Sequence, residues 1–396
     1  MPRGPTVLTL YSAADLLTAP GCPVCRYATE ASDRYLRWFA LEGHAQPATI
    51  TRLCASLGMC AAHTRRLMSQ PGAAVRLTAV YRYVVTAAGN QLAGRNAQQA
   101  ACPACEHDDS AARRALDTLL DDLADRSVLA RLQELGGLCL PHLTAAAARP
   151  RLVASLAETM RNMIAARGRC DWLAGADLDA EGRAVLRRAI TSVPPPGPAA
   201  CWPCLAAARA ERDALACLPD IASDGPAPAL ALCASHLADA AAAAGPSGIR
   251  QLLGWQLQCL TARLPAPRAR WLRLGRRASD TDCAVCRAGR AAAQQRLRDV
   301  EDTPPLAATD AALCVRHHLA LRTADPRTAN LLAEGAVRTA GHLAAELAEA
   351  FDRFTRARST GASVPESTAW QRAAAFLDGS VFSGRRQPPP ADQLHR

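Results

Sequence analysis

A pair of short cysteine motifs, CxxC followed by CxxH, occurs four times in order along the 396-residue chain. The CxxC motifs begin at residues 22, 102, 201 and 283, and 27 to 34 residues separate the two halves of each pair. Twelve of the sixteen cysteines and four of the nine histidines belong to this pattern. Such self-similarity is typical of one supersecondary unit copied along a chain. We therefore predict four tandem units, called units 1 to 4 below.

The residue types in each unit are those that bind zinc. Two ligands at positions i and i+3 can share one ion, and Cys3His is a common closed set for structural zinc. A catalytic zinc would instead keep a coordination position open. We expect four zinc ions, each held within one unit so that it clamps a helical hairpin. The expected ligands are Cys22, Cys25, Cys60 and His63; Cys102, Cys105, Cys139 and His142; Cys201, Cys204, Cys233 and His236; and Cys283, Cys286, Cys314 and His317.

Three other readings of the motifs stay open at this point. The cysteines could be buried small hydrophobes, the CxxC pairs could be redox dithiols, and a Cys3His set could hold an iron–sulfur centre. Thioredoxin-like dithiols lie in a βαβ pattern, which we do not find. The N-terminus lacks a signal-peptide core and no apolar run is long enough to span a membrane, so we expect a cytoplasmic protein. Disulfides rarely persist in that reducing compartment, which favours metal.

The apolar residues predict an all-α fold. Hydrophobic residues make up 49% of the chain but aromatic residues only 4%, and most of the remainder is Ala and Leu, which favour helix. A helix with apolar residues at i, i+3 and i+4 spacing follows each CxxH. In unit 1 that stripe is Leu77, Val80, Tyr81, Val84, Val85, Ala88 and Leu92. We find no convincing strand with alternating hydrophobicity.

Pro- and Gly-rich stretches indicate the boundaries. The predicted organisation is metal unit 1 at 1–100, unit 2 at 101–190, a Pro-rich linker at 191–198, unit 3 at 199–264, an Arg-rich linker at 265–280, unit 4 at 281–360, a C-terminal helix at 361–384 and a disordered tail at 385–396.

The residues that are missing exclude several enzyme classes. The chain has no lysine, so it cannot build a P-loop, a Schiff base or a kinase ATP site. We also find no GxSxG, HExxH or GxGxxG motif. An enzyme is therefore not favoured. The preferred function is a non-enzymatic scaffold that uses its helical surfaces to bind other proteins, with iron–sulfur electron transfer as an alternative.

One basic segment, 263–277, supports a second alternative. It contains several arginines and a tryptophan but no acidic residue, and such residues can contact phosphates and stack on bases. The candidate nucleic-acid contacts are Arg268, Arg270, Trp271, Arg273, Arg276 and Arg277. A solvated linker between units explains the same composition and is the preferred interpretation.

Five further cysteine and histidine residues are not assigned as ligands. Cys54, Cys170, Cys217 and Cys259 recur at no common position in the units, so we interpret them as small hydrophobes. His318 adjoins His317, but the CxxH spacing favours His317 as the ligand of unit 4.

The motifs resemble those of a bacterial cysteine-rich family of uncharacterised function. The resemblance rests on CPVC…GMCAAH, CPAC…GLCLPH and the segment WQRAAAFLDG at 370–379. It implies metal binding and a bacterial source and supplies no activity. Units 3 and 4 lack the Gly that precedes CxxH in units 1 and 2, and the resemblance is weaker there.

Overall fold

The fold is all-α, as predicted. A computed structural model describes residues 12–68, 73–95, 100–123, 125–146, 150–165, 201–218, 232, 236–237, 239–240, 245–263, 283–302, 313–360 and 369–378. Across these ranges every regular element is helical. No helix within them is both long and apolar enough to span a lipid bilayer.

Fourteen α-helices are described in these ranges, together with short 3-10 turns at Ala13–Asp15 and Gly43–Ala45. The first half contains α1 (Pro23–Leu41), α2 (Pro47–Ala55), α3 (Ala61–Met68), α4 (Ala73–Leu92), α5 (Pro103–Asp122), α6 (Arg126–Glu134), α7 (Leu140–Ala145) and α8 (Pro150–Ala165). The second half contains α9 (Trp202–Ala216), α10 (Gly245–Arg263), α11 (Ala284–Asp302), α12 (Val315–Ala324), α13 (Pro326–Thr360) and α14 (Ala369–Leu377).

The motif cysteines lie where helices begin. Cys22, Cys102 and Cys201 are the N-cap residues of CxxC helices, and a proline follows each of them in the first turn. Proline suits this position because its missing N–H would have no intrahelical partner there. The free N–H groups of a first turn also favour a nearby thiolate. The sequence therefore sets the local geometry of each cysteine pair.

The CxxC helices pack against each other in pairs, α1 against α5 and α9 against α11. In the first pair, Tyr35 in the second half of α1 stacks on His107 in the first turns of α5, with ring centroids 4.4 Å apart. The two helices are therefore antiparallel. At the other end, the backbone N–H of Ala13 donates to Asp122 Oδ2 at 2.7 Å. Each end of this pair thus holds the start of one CxxC helix.

The helices that follow the CxxH motifs join the two halves of the chain. Helix α4 packs along α13, and α8 packs against α10. A Cβ added at Gly89 in α4 would lie 3.2 Å from the Cβ of Ala340 in α13, so the two backbones approach closely. Arg322 Nη1 also donates to the carbonyl of Gln91 at 2.8 Å.

The predicted apolar stripe of α4 is confirmed, since all seven of its residues are at most 3% exposed. They belong to a cluster that also contains Leu347 of α13 and Trp370 and Leu377 of α14. A second cluster covers α5 to α8 and α10. The C-terminal segment on which the family resemblance partly rests is therefore a packed helix, held as well by an ion pair between Arg372 and Glu346 at 2.5 Å.

Truncating the α4–α13 interface should destabilise the protein. Leu347 is fully buried, whereas Leu331 on the same helix is 82% exposed. We expect Leu347→Ala to lower the free energy of unfolding by about 2–5 kcal/mol, because it leaves a cavity in the core. Leu331→Ala is the matched control and should change it by less than about 0.5 kcal/mol. Urea denaturation of both metal-loaded variants measures the difference, and equal shifts would contradict this packing.

Candidate metal centres

Four groups of cysteine and histidine side chains come together in the described residues. Within each group the sulfur and nitrogen atoms all lie within 4.8 Å of one another. We name them centres A to D: centre A is Cys22, Cys25, Cys139 and His142; centre B is Cys60, His63, Cys102 and Cys105; centre C is Cys201, Cys204, Cys314 and His317; and centre D is His236, Cys283 and Cys286. Cys233, the remaining predicted ligand, lies outside the described residues.

The predicted grouping of these ligands is wrong, because every centre joins two units. Centres A and B exchange their halves: the CxxC of unit 1 meets the CxxH of unit 2, and the CxxC of unit 2 meets the CxxH of unit 1. Centres C and D exchange the halves of units 3 and 4 in the same way. Cys25 thus faces His142, at 3.3 Å, and not His63. No centre closes a hairpin within its own unit.

The lengths of the helices explain the exchange in the first half. Helix α1 has 19 residues and α2 only 9, so at 1.5 Å per residue α1 is about 28 Å long and α2 about 13 Å, too short to bring the chain back to Cys22. A tight turn in which Leu57 and Gly58 have positive φ then leads directly to Cys60. The CxxH therefore stays short of Cys22 and lies beside the middle of α1, where Arg66 of α3 donates to Ser32 Oγ at 2.9 Å. The antiparallel α5 begins nearby with the CxxC of the next unit, as the stack of His107 on Tyr35 shows.

The distances within the centres are those of ligands around one tetrahedral ion. For the pairs in hydrogen-bond contact, sulfur–nitrogen separations run from 3.1 to 3.7 Å and sulfur–sulfur separations from 3.5 to 3.8 Å. The other ligand pairs lie within 4.8 Å. Zn–S and Zn–N bonds of about 2.3 and 2.0–2.1 Å at tetrahedral angles give edges of about 3.8 Å and 3.5 Å respectively. The side chains are therefore close enough to bind a single metal ion in each centre.

The four histidines present the same ring nitrogen. In every centre Nδ1 lies among the sulfur atoms, which directs Nε2 outward. Two outward nitrogens lie near a carboxylate: His63 Nε2 is 3.0 Å from Asp108 Oδ2, and His236 Nε2 is 3.8 Å from Glu211 Oε2. A carboxylate at this position orients a metal-binding imidazole.

The thiols in each centre influence one another's ionisation strongly. In centre B, hydrogen bonds from Cys105 and Cys60 lower the pKa of Cys102, whereas contact with Cys102 raises that of Cys105. Centre A repeats the pattern with the pKa of Cys22 lowered and that of Cys25 raised. One thiolate is favoured but further negative charge beside it is disfavoured, so three adjacent thiolates need a cation.

The raised pKa values of two histidines also indicate that the centres stabilise positive charge. Burial alone would lower the pKa of His63, but hydrogen bonds with Asp108, Cys102 and Cys60 outweigh it and raise the pKa to about 11. The pKa of His317 in centre C is raised to about 10 by Cys201 and Cys314, again against the effect of burial. A bound metal ion would supply that positive charge in place of the proton.

The residues outside the motifs are placed as follows. Cys54 is half-buried against the core, as expected of a small hydrophobe, whereas that interpretation is wrong for Cys217, which is exposed; neither joins a centre. His317 is the histidine of centre C, whereas the neighbouring His318 is buried with no hydrogen-bond partner for Nε2 in the described structure. Cys170 and residues 264–277 of the basic segment, with all six candidate nucleic-acid contacts, lie outside the described residues, as does the side chain of Cys259, so those predictions stay predictions.

Alkylation of the native protein distinguishes the exchanged centres from the predicted ones. In Cys139→Ser we expect Cys22 and Cys25 of unit 1 to react with iodoacetamide, because they share centre A with residue 139. Cys102 and Cys105 of unit 2 should stay protected in centre B. Mass spectrometry of the labelled peptides makes the assignment.

The matched control for that experiment is Cys217→Ser, which removes an exposed cysteine outside the centres. It should leave all four ligand sets protected. Labelling of Cys102 and Cys105 instead of Cys22 and Cys25 in Cys139→Ser would contradict the exchange.

Comparison with known proteins does not assign the chain to a family. No family model, curated protein or solved structure matches this chain. The resemblance to a bacterial cysteine-rich family therefore stays a prediction, and the function is inferred from the side chains of the four centres.

Proposed function

We propose that centres A to D hold four structural zinc ions that join the helical units of a non-enzymatic scaffold protein. The observation that carries this proposal is the tetrahedral spacing of the ligand atoms in the centres, on four-residue sets that are complete in A, B and C. Four protein ligands fill the coordination sphere of zinc and leave no position for a substrate. In centre D, Cys233 is the expected fourth ligand.

The same spacing favours zinc over an iron–sulfur cluster. A cluster of several irons distributes its cysteine ligands over different iron atoms, which places them farther apart than the ligands of one ion. In centre A, Cys25 Sγ and Cys139 Sγ are 3.5 Å apart, and His142 Nδ1 is 3.1 Å from Cys139 Sγ. Ligands this close suit one metal ion.

A structural role agrees with the composition of the helix pair that the metals join. The buried residues of α5 include Ala104, Ala111 and Ala115, and alanine contributes little hydrophobic area. Structural zinc contributes on the order of 10 kcal/mol to folding. The metals thus replace part of the hydrophobic core, and the outer helix faces remain for binding partners, which we propose are proteins.

Metal analysis tests the identity and the role of the ions together. Protein purified anaerobically should be colourless and contain about four zinc ions per chain, one for each centre. Fewer than two zinc ions, or a brown iron-containing protein, would contradict the proposal. The cobalt-substituted protein should show the visible absorption of tetrahedral thiolate-bound Co²⁺. Added azide should leave that spectrum unchanged, since a shift would mean an open coordination position.

Acid should release the metal and loosen the fold. Protons compete with zinc for thiolate and imidazole, so the affinity falls as the pH falls. We expect zinc to stay bound at about pH 7.5 and to be lost near about pH 5, together with part of the helical circular dichroism signal. Ultrafiltration followed by metal analysis measures the release. Refolding on return to neutral pH should require added zinc, and recovery in a chelator would contradict a structural role.

A further inference from the structure

Two of the four centres contain an outer carboxylate that the cysteine motifs do not specify. In centre B, Asp108 Oδ2 lies 3.0 Å from His63 Nε2, and the side chain of His63 is 5% exposed. In centre D, Glu211 Oε2 lies 3.8 Å from His236 Nε2, and both side chains are at most 8% exposed. Each carboxylate faces the ring nitrogen opposite the one that lies among the sulfurs.

The two carboxylates reach their imidazoles from different helices. Asp108 lies on α5, three residues after Cys105, so it is on the same helix face as a thiol of its own centre. Glu211 lies on α9, whereas the CxxC cysteines of centre D precede and begin α11. The same contact between a carboxylate and Nε2 is thus made from the CxxC helix of the centre in one case and from the opposing helix in the other. The cysteine motifs alone do not predict either carboxylate.

A glycine in α11 makes room for the contact between Glu211 and His236. The residue of α11 that corresponds to Asp108, three after Cys286, is Gly289. A Cβ at this position would lie 2.5 Å from Glu211 Oε1, 2.7 Å from its Cγ and 2.9 Å from its Cδ. Any larger residue at 289 would thus displace Glu211. The carboxylate of Glu211 therefore occupies the space that a side chain at position 289 would fill.

Centres A and C have alanine at both corresponding positions. Three residues after the second CxxC cysteine stand Ala28 in α1 and Ala207 in α9. At the position of Glu211 on the opposing helix, seven residues after the second cysteine, stand Ala112 in α5 and Ala293 in α11. Neither position can supply a carboxylate to His142 or His317. Centres B and D therefore have a carboxylate at one of these two positions, whereas centres A and C have none at either.

We propose that Asp108 and Glu211 are positioning residues that hold the imidazoles of His63 and His236 with Nδ1 toward the metal, so that centres B and D depend on an outer carboxylate for metal retention and centres A and C do not. A carboxylate that accepts from Nε2–H fixes the tautomer and makes Nδ1 a better donor to the metal. This inference rests on the proposed function, because it concerns how the zinc ions are held.

Chelator competition on the zinc-loaded full chain tests the inference centre by centre. The protein is incubated with increasing EDTA and the released cysteines are alkylated and identified by mass spectrometry, so each centre reports separately. Removing such an outer partner costs about 10- to 100-fold in metal affinity. Asp108→Asn should therefore release Cys60, Cys102 and Cys105 at correspondingly lower chelator concentration, while the cysteines of centres A and C respond as in the wild type.

The second centre is tested in two ways. Glu211→Gln should sensitise only the cysteines of centre D, which are Cys283, Cys286 and the expected fourth ligand Cys233. Gly289→Ala should do the same without changing a charge, because its Cβ displaces Glu211. The matched control is Gly254→Ala in α10, where an added Cβ meets nothing within 4 Å. Asp117→Asn on α5 and Asp213→Asn on α9 are exposed and control for loss of charge.

A spectroscopic readout separates positioning from general destabilisation. In the zinc-loaded wild type, long-range ¹H–¹⁵N spectra should show an exchange-protected Nε2–H for His63, and Asp108→Asn should weaken that protection with the helical content unchanged. Equal chelator sensitivity of Asp108→Asn and Asp117→Asn in a chain that holds four zinc ions would overturn this inference alone. A wild-type chain that binds no zinc would overturn the proposed function instead.

Discussion

The unequal length of the two helices between CxxC and CxxH is the constraint on which the rest of the structure depends. Because α1 and α5 are 19 and 20 residues long and the following helices α2 and α6 only 9, neither CxxH can return to the start of its own CxxC helix. The antiparallel partner helix begins closer to it, with the CxxC of the other unit. Ligand exchange between units follows from this packing, and neither unit can complete a centre alone.

Exchange of ligands between units determines how the proposed metal ions would stabilise the fold. Cys22 and His142 are 120 residues apart in the chain, and Cys201 and His317 are 116 apart. A cross-link that closes so long a loop removes more conformational freedom from the unfolded chain than one within a hairpin. Centres B and D join residues only 39 to 50 apart, so with metal bound each pair of CxxC helices would have one long-range and one shorter link. Metal ions in the four centres would therefore help a chain rich in alanine to hold its helices together with little aromatic core.

The packing between the halves of the chain complements these links. Helix α4 lies along α13, and α14 completes the apolar cluster around them. The buried stripe of α4 was readable from the spacing of its apolar residues, because helical periodicity is a local property. Its partner was not readable, since an apolar stripe fits many others equally well. The roles of Asp108 and Glu211 could not be predicted from the sequence either, because they depend on the contacts of the two carboxylates with His63 and His236.

The sequence by itself determined the ligand types, the helical class and the beginning of the CxxC helices at their cysteines. These depend on residues three or four apart, whose relative positions are set by the backbone of a single turn. Only the tertiary structure decided which CxxC meets which CxxH, because that depends on how far each helix extends before the chain turns back. The sequence repeats its motifs unit by unit, whereas the folded chain completes each centre across two units.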